Sequence, residues 1–143
     1  MPILKAVLDT SVMVSVAFAK EGLAKELRDL IAEETFTLVT SKEIMAELYR
    51  VLHYPCIRKQ FHPSEEDIDE FIGLILEKAV LTPGSYTLHR IKDDPSDDMF
   101  LACALEGGAD YIVSRDPHLR NLKQFQSIKI IDVKGFMEKV KKR

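Results

Sequence analysis

Several large protein classes are excluded by what this chain lacks. It has only two cysteines, Cys56 and Cys103, far apart and in no CxxC pair. Neither a disulfide framework nor a thiolate metal site is therefore supported, and both are expected to be buried thiols. Long hydrophobic runs are also missing. The stretch Ile3 to Leu8 is broken by Lys5 and reaches Asp9 too soon for a signal-peptide core, and no later run could span a bilayer. A cytoplasmic protein without membrane attachment is expected. There is no excess of positive charge either: the net charge of -3 leaves no overall electrostatic footprint for nucleic acid, so such a role must rest on local charge. The four histidines, His53, His62, His89 and His118, show no ligand spacing, which argues against zinc. No repeat, linker or low-complexity tract divides the 143 residues, and a single domain over 1–143 is expected.

What is present is a normal globular balance, 46% hydrophobic and 30% charged, laid out as alternating strand and helix patterns. Ile3 to Leu8 reads as a buried strand that ends on Asp9, with Thr10 and Ser11 as turn or cap residues. Leu23, Leu27, Leu30 and Ile31 recur at helical spacing, and Phe36 to Val39 is a second strand capped by Thr40-Ser41. Ile44, Leu48, Val51 and Leu52 make the stripe of the next helix, which Tyr54-Pro55 stops; the segment to Phe61 reads as irregular. Ser64 caps a helix with Asp67 in a capping-box place, and Ala79 to Leu81 is a short strand before Pro83-Gly84. A helix from Asp97 ends at Gly107-Gly108. Tyr111 to Val113 and Ile128 to Ile131 are β-branched strands, and Lys134 to Lys141 closes as a helix. This order predicts an α/β fold, a three-layer α/β/α sandwich around a central parallel sheet.

In such a sheet ligands bind outside the carboxyl ends of the strands. Asp9 follows the first strand directly, Asp116 follows Tyr111 to Ser114 closely, and Asp132 also qualifies by position. Asp97 falls within the stripe of Phe100, Leu101, Ala104 and Leu105, with Asp98 at its edge; Glu47 borders the apolar face of its helix, and Glu43 is turned further out. Each acid alone is better read as a cap, a turn residue or a rim charge. Together they are harder to dismiss, because only Arg115 stands at that edge to neutralise them and clustered carboxylates repel without a cation. A hard, oxygen-seeking ion, Mg2+ or Mn2+, answers this economically. Arg50, Arg58 and Lys59, with His53 and His62 nearby, form one basic cluster, and Lys139, Lys141, Lys142 and Arg143 another, with solvated surface as the even alternative.

Four segments carry a resemblance: Val7 to Ser11, Ser41 to Leu48, Asp94 to Ala102 and Gly108 to Asp116. In that order they resemble the PIN-domain family of nucleases over nearly the whole chain. The resemblance implies a Mg/Mn-dependent endoribonuclease, often the toxin of a VapC-like toxin–antitoxin pair, a homodimer silenced by a small antitoxin protein. It also implies metal-binding acids at Asp9, Glu47, Asp97 and Asp116, with Ser11 and Ser114 as hydroxyl supports; Asp98, adjacent to Asp97, can contribute. Arg50, Arg58 and Lys59 are then candidates for contacting the RNA backbone. Where the family's toxins often carry a further acid after the last one, this chain has Asp116-Pro117-His118. Two other readings stand beside this one. A phosphatase is suggested by an acid after the first strand, although Ser11 occupies the second place of its D-x-D pattern. A non-catalytic RNA-binding or regulatory module would keep the fold and lose an acid.

Overall fold

A computed structural model of the chain describes residues 3–84 and 98–141. In chain order the elements are β1 (Lys5–Leu8), α1 (Thr10–Phe18), α2 (Gly22–Ala32), β2 (Thr37–Thr40), α3 (Lys42–Leu52), α4 (Pro55–Phe61) and α5 (Glu65–Lys78). β3 (Val80–Leu81), α6 (Asp98–Gly107), β4 (Tyr111–Val113), α7 (Pro117–Arg120), β5 (Gln124–Phe125), β6 (Ile128–Ile131) and α8 (Val133–Lys141) follow.

The sheet runs β3-β2-β1-β4-β6-β5. β1 is central, with Ala6 opposite Leu38 on one side and Tyr111 on the other, and Leu8 opposite Val113. All pairs are parallel except β5 against β6, so the sheet is mixed rather than wholly parallel. The reason is local: only Gln126 and Ser127 join β5 to β6, and so short a link can only reverse the chain. Side chains alternate across the strands and divide the interior in two. Ala6, Leu8, Leu38 and Val113 face one cluster with the inner sides of α1, α2, α3, α5 and α8. Val7, Val39 and Ile112 face the other, filled by Phe100, Leu101, Cys103 and Ala104 of α6 and by Leu119 of α7. Helices on both faces of the sheet give the α/β sandwich.

Three helices, α1, α4 and the short α7, appear where the sequence pattern gave none. α1 is buried at Val12, Met13, Val14 and Val16, so no polar face reveals its period. It ends without a glycine; instead the Arg28 guanidinium of α2 donates to the carbonyls of Val16 at 2.9 Å and Ala17 at 3.3 Å, which satisfies its last turn. α4 replaces the irregular segment, because Pro55 both follows the end of α3 and stands in the first turn of α4, where its missing N–H costs nothing. The capping box at Ser64 and Asp67 is formed, with both reciprocal hydrogen bonds. The cysteines differ from each other: Cys103 is buried, while Cys56, on α4, is exposed. Burial pushes the Cys103 thiol up to about 11, against the opposing hydrogen bond from Thr82. Among the described residues no helix is long and apolar enough to cross a membrane.

From β1 the chain moves outward to β2 and β3, then returns to the other side of β1 for β4. The carboxyl ends of β1 and β4 therefore flank the point where strand order reverses, the place where an open α/β sheet forms a crevice.

Candidate functional site

Asp9 is the first residue beyond β1. Its backbone N–H donates to the Val113 carbonyl at 3.0 Å, so the strand pairing with β4 continues up to it. The side chain is 3% exposed. Its Oδ1 caps α1, accepting from Val12 N at 2.9 Å and Ser11 Oγ at 3.2 Å. Its Oδ2 accepts from Ser114 Oγ at 2.5 Å and Arg115 N at 3.2 Å. The register explains the meeting: with Leu8 opposite Val113, the next residues on the two strands are Asp9 and Ser114. The buried Ser114 hydroxyl in turn accepts from Asp116 N at 2.9 Å, and Asp116 Oδ1 caps α7 by accepting from His118 N at 2.8 Å. Both acids are thus helix caps, as the plainer reading expected, yet one serine hydroxyl ties them together.

Glu47 projects from α3 and is half-buried, whereas Glu43 is exposed. Glu47 Oε2 accepts from Thr10 Oγ1 at 2.5 Å. Thr10 is the neighbour of Asp9, so this contact fastens the acid of α3 to the mouth of β1. The sequence reading assigned Thr10 only a turn or cap role; with α1 unrecognised, nothing indicated that it would meet α3. Asp98 opens α6 and is 5% exposed, more deeply placed than the edge of a stripe. The short link from Gly107 to Tyr111 sends α6 back along the sheet from β4, so its first turn lies toward the carboxyl edge. Asp97 lies outside the described residues.

The polar partners of Asp9 are all neutral donors, and the Arg115 guanidinium turns away to donate to Ser15 Oγ at 2.7 Å. A carboxylate so buried is held here by four neutral donors, with no cationic side chain against it among the described residues, and a cation would add to its stabilisation. The donors around it are carboxylate and hydroxyl oxygens, the set that a hard divalent ion prefers. In chemistry the residues fit such an ion. In number the described residues do not close a centre: no three His, Cys, Asp or Glu side chains among them group to hold a metal.

The basic candidates divide. Arg50 is exposed in the last turn of α3, one turn beyond Glu47, and Lys59 is exposed on α4. Arg58 is engaged with Glu65 at 3.3 Å and donates to the His53 carbonyl, which draws it toward α5. Lys141 pairs with Glu26 at 3.2 Å. His89, Lys142 and Arg143 lie outside the described residues.

A family model described as a PIN domain matches residues 5–118. No curated protein matches the chain. Among solved structures, the fold is similar to that of PAE2754 from Pyrobaculum aerophilum, with a TM-score of 0.63 and 13% identity over 98% of this chain and 91% of the other. It is also similar to VapBC2 from Rickettsia felis, solved bound to a DNA fragment from their promoter, with a TM-score of 0.58 and 13% identity over 89% and 97% of the two chains.

Proposed function

We propose, from the premise that this chain belongs to the PIN-domain family, whose members are generally nucleases, that it is a divalent-metal-dependent endoribonuclease. It hydrolyses phosphodiester bonds in RNA as the toxin of a toxin–antitoxin pair, and acts in the cytoplasm as a single-domain homodimer. The observation that carries the catalytic reading is the hydroxyl-linked array of acids at the switch point. There Asp9 and Asp116 share Ser114, and Glu47 is held at the neighbouring Thr10. The likeness in fold to VapBC2 favours the toxin reading and an antitoxin protein as partner.

Asp9, Asp97 and Asp116 would hold Mg2+ or Mn2+, with Asp98 as a further donor beside Asp97. Such an ion, when bound, supplies Lewis acidity and screens phosphate charge. Glu47 would help to hold it or orient the attacking water. Ser114 and Ser11 donate to the Asp9 carboxylate and fix its orientation. Arg50, Arg58 and Lys59 contact the RNA backbone.

The test is cleavage of labelled single-stranded RNA with Mg2+ or Mn2+ against EDTA, for the wild type, Asp9→Asn and Asp97→Asn. Cutting that needs the ion and drops by at least about 100-fold in both variants is the expected result, since each removes electrostatic stabilisation of the kind worth roughly 10²–10³ in rate. A wild type that neither cuts RNA nor binds the ion by calorimetry would leave a non-catalytic RNA-binding module on the same fold.

A further inference from the structure

A cleft of about 280 Å³ opens between α1, α2 and the start of α8. Its accessible apolar lining is Leu23, Ala24 and Val133, over the buried Val12 and Val16, and Arg115 and Lys134 also line it. Leu23 is 41% exposed, a large apolar side chain left at the surface. Arg115 belongs both to this cleft and to the acid cluster. Its backbone N–H donates to Asp9 Oδ2 at 3.2 Å, and its guanidinium donates to Ser15 Oγ in the cleft wall at 2.7 Å.

Some surface cations are neutralised where they stand. Lys25, Lys78 and Lys141 each sit against a carboxylate, at 2.8, 3.4 and 3.2 Å. Among the described residues neither Arg115 nor Lys134 has such a partner. Asp132 shares the cleft, but its Oδ1 is taken by Gly135 N at 2.8 Å, where it caps α8. Two unpaired cations beside an apolar floor, joined through Arg115 to a buried carboxylate, complement a group that is anionic at one end and flat and apolar at the other.

We propose that this cleft is a nucleotide subsite. It takes one nucleotide of single-stranded RNA next to the cut bond, with the base on Leu23, Ala24 and Val133 and the phosphate between Arg115 and Lys134. The inference rests on the nuclease reading and deepens it. The volume lies just below the usual range of small-ligand pockets, ~300 Å³ upward, which suits one nucleotide and not a longer segment. No aromatic ring lines the cleft, so the base is held by apolar contact without stacking and its identity is weakly selected.

The test uses the full chain and fluorescein-labelled decauridine, with binding followed by anisotropy in EDTA and cutting followed in Mg2+. Arg115→Ala and Lys134→Ala should each weaken binding several-fold. Each should also flatten the slope of log affinity against log salt by about 0.7, the value for one lost phosphate contact on a single strand. Leu23→Asp should weaken binding by replacing the apolar contact to the base with a carboxylate. Lys134→Ala should raise KM with kcat little changed, and Lys129→Ala, which removes a cation outside the cleft, should behave as wild type. Binding and salt slope unchanged in both cation variants would overturn the subsite while wild-type cutting left the nuclease intact. A change of oligomeric state in Lys134→Ala or Leu23→Asp with RNA affinity retained would overturn it in favour of a protein interface. A wild type that neither binds decauridine nor cuts it would overturn both readings.

Discussion

The Ser114 hydroxyl does two things at once: it donates to Asp9 Oδ2 and accepts from Asp116 N. Ser114→Ala would leave the buried carboxylate one donor short and the backbone N–H of Asp116 unpaired. A hydrogen bond to a charged group is worth about 1.5–3 kcal/mol, so urea unfolding should show a loss of that order. RNA cutting should fall further than stability accounts for, because the two acids lose their common anchor. An unchanged cutting rate would mean that Asp9 and Asp116 are placed by their caps alone. Thr40 offers the opposite case. Its Oγ1 is fully buried at the carboxyl end of β2 and has no hydrogen-bond partner among the described residues. Thr40→Val keeps the shape and removes the unpaired hydroxyl, so thermal unfolding should show a gain of about 1 kcal/mol. A loss of stability would reveal a partner in solution, such as an ordered water.

At the scale of elements, His53 joins the end of α3 to the start of α5. Its Nδ1 donates to the Tyr49 carbonyl at 2.7 Å and its Nε2 donates to the Glu65 carboxylate at 2.9 Å, so both ring nitrogens face acceptors. The hydrogen bond to Glu65 is the main cause that raises the His53 pKa above its ordinary 6.5. The same bond lowers Glu65 below its ordinary 4.5. The His53 contribution is therefore fully present below about pH 6.5 and lost as pH rises through its raised value. The Glu65 contribution is present above about pH 4.5 and lost as pH falls through its lowered value. The link is strongest between those limits. Melting temperature should fall between about pH 5.5 and 8.5, by less in Glu65→Gln than in the wild type. Equal falls in the two proteins would show that the exposed pair adds nothing.

Elements also differ in how far the sequence disclosed them. The central strands, α2, α3, α5 and α8 are written in β-branched runs and clear apolar stripes. α1 is not, since burial on nearly every side erases the periodicity that marks a surface helix. α4 was hidden because a proline that stops one helix is equally at home in the first turn of the next. α7 and β5 are too short for any period to register. The same limits apply to the candidate site. Asp9 and Asp116 were legible from their places after strands and Ser114 from the family resemblance, whereas the Thr10–Glu47 contact depends on the unrecognised α1 and on how it packs against α3.

For the molecule as a whole, the sheet is shared by two apolar clusters, one on each face, and β1 and β4 contribute to both. Loss of either face exposes the other, so the chain should unfold as one cooperative unit. Far-ultraviolet dichroism and tyrosine signals are expected to trace a single, coincident urea transition. Two separated transitions would overturn the assignment of one domain. The pairing of β1 with β4 also sets a time. Asp9 is made 105 positions before Ser114, its partner. Until β4 emerges and inserts beside β1, the acids are separate residues on an open chain. The growing polypeptide thus carries no assembled cluster of acids, and acquires one only when β4 takes its place in the sheet.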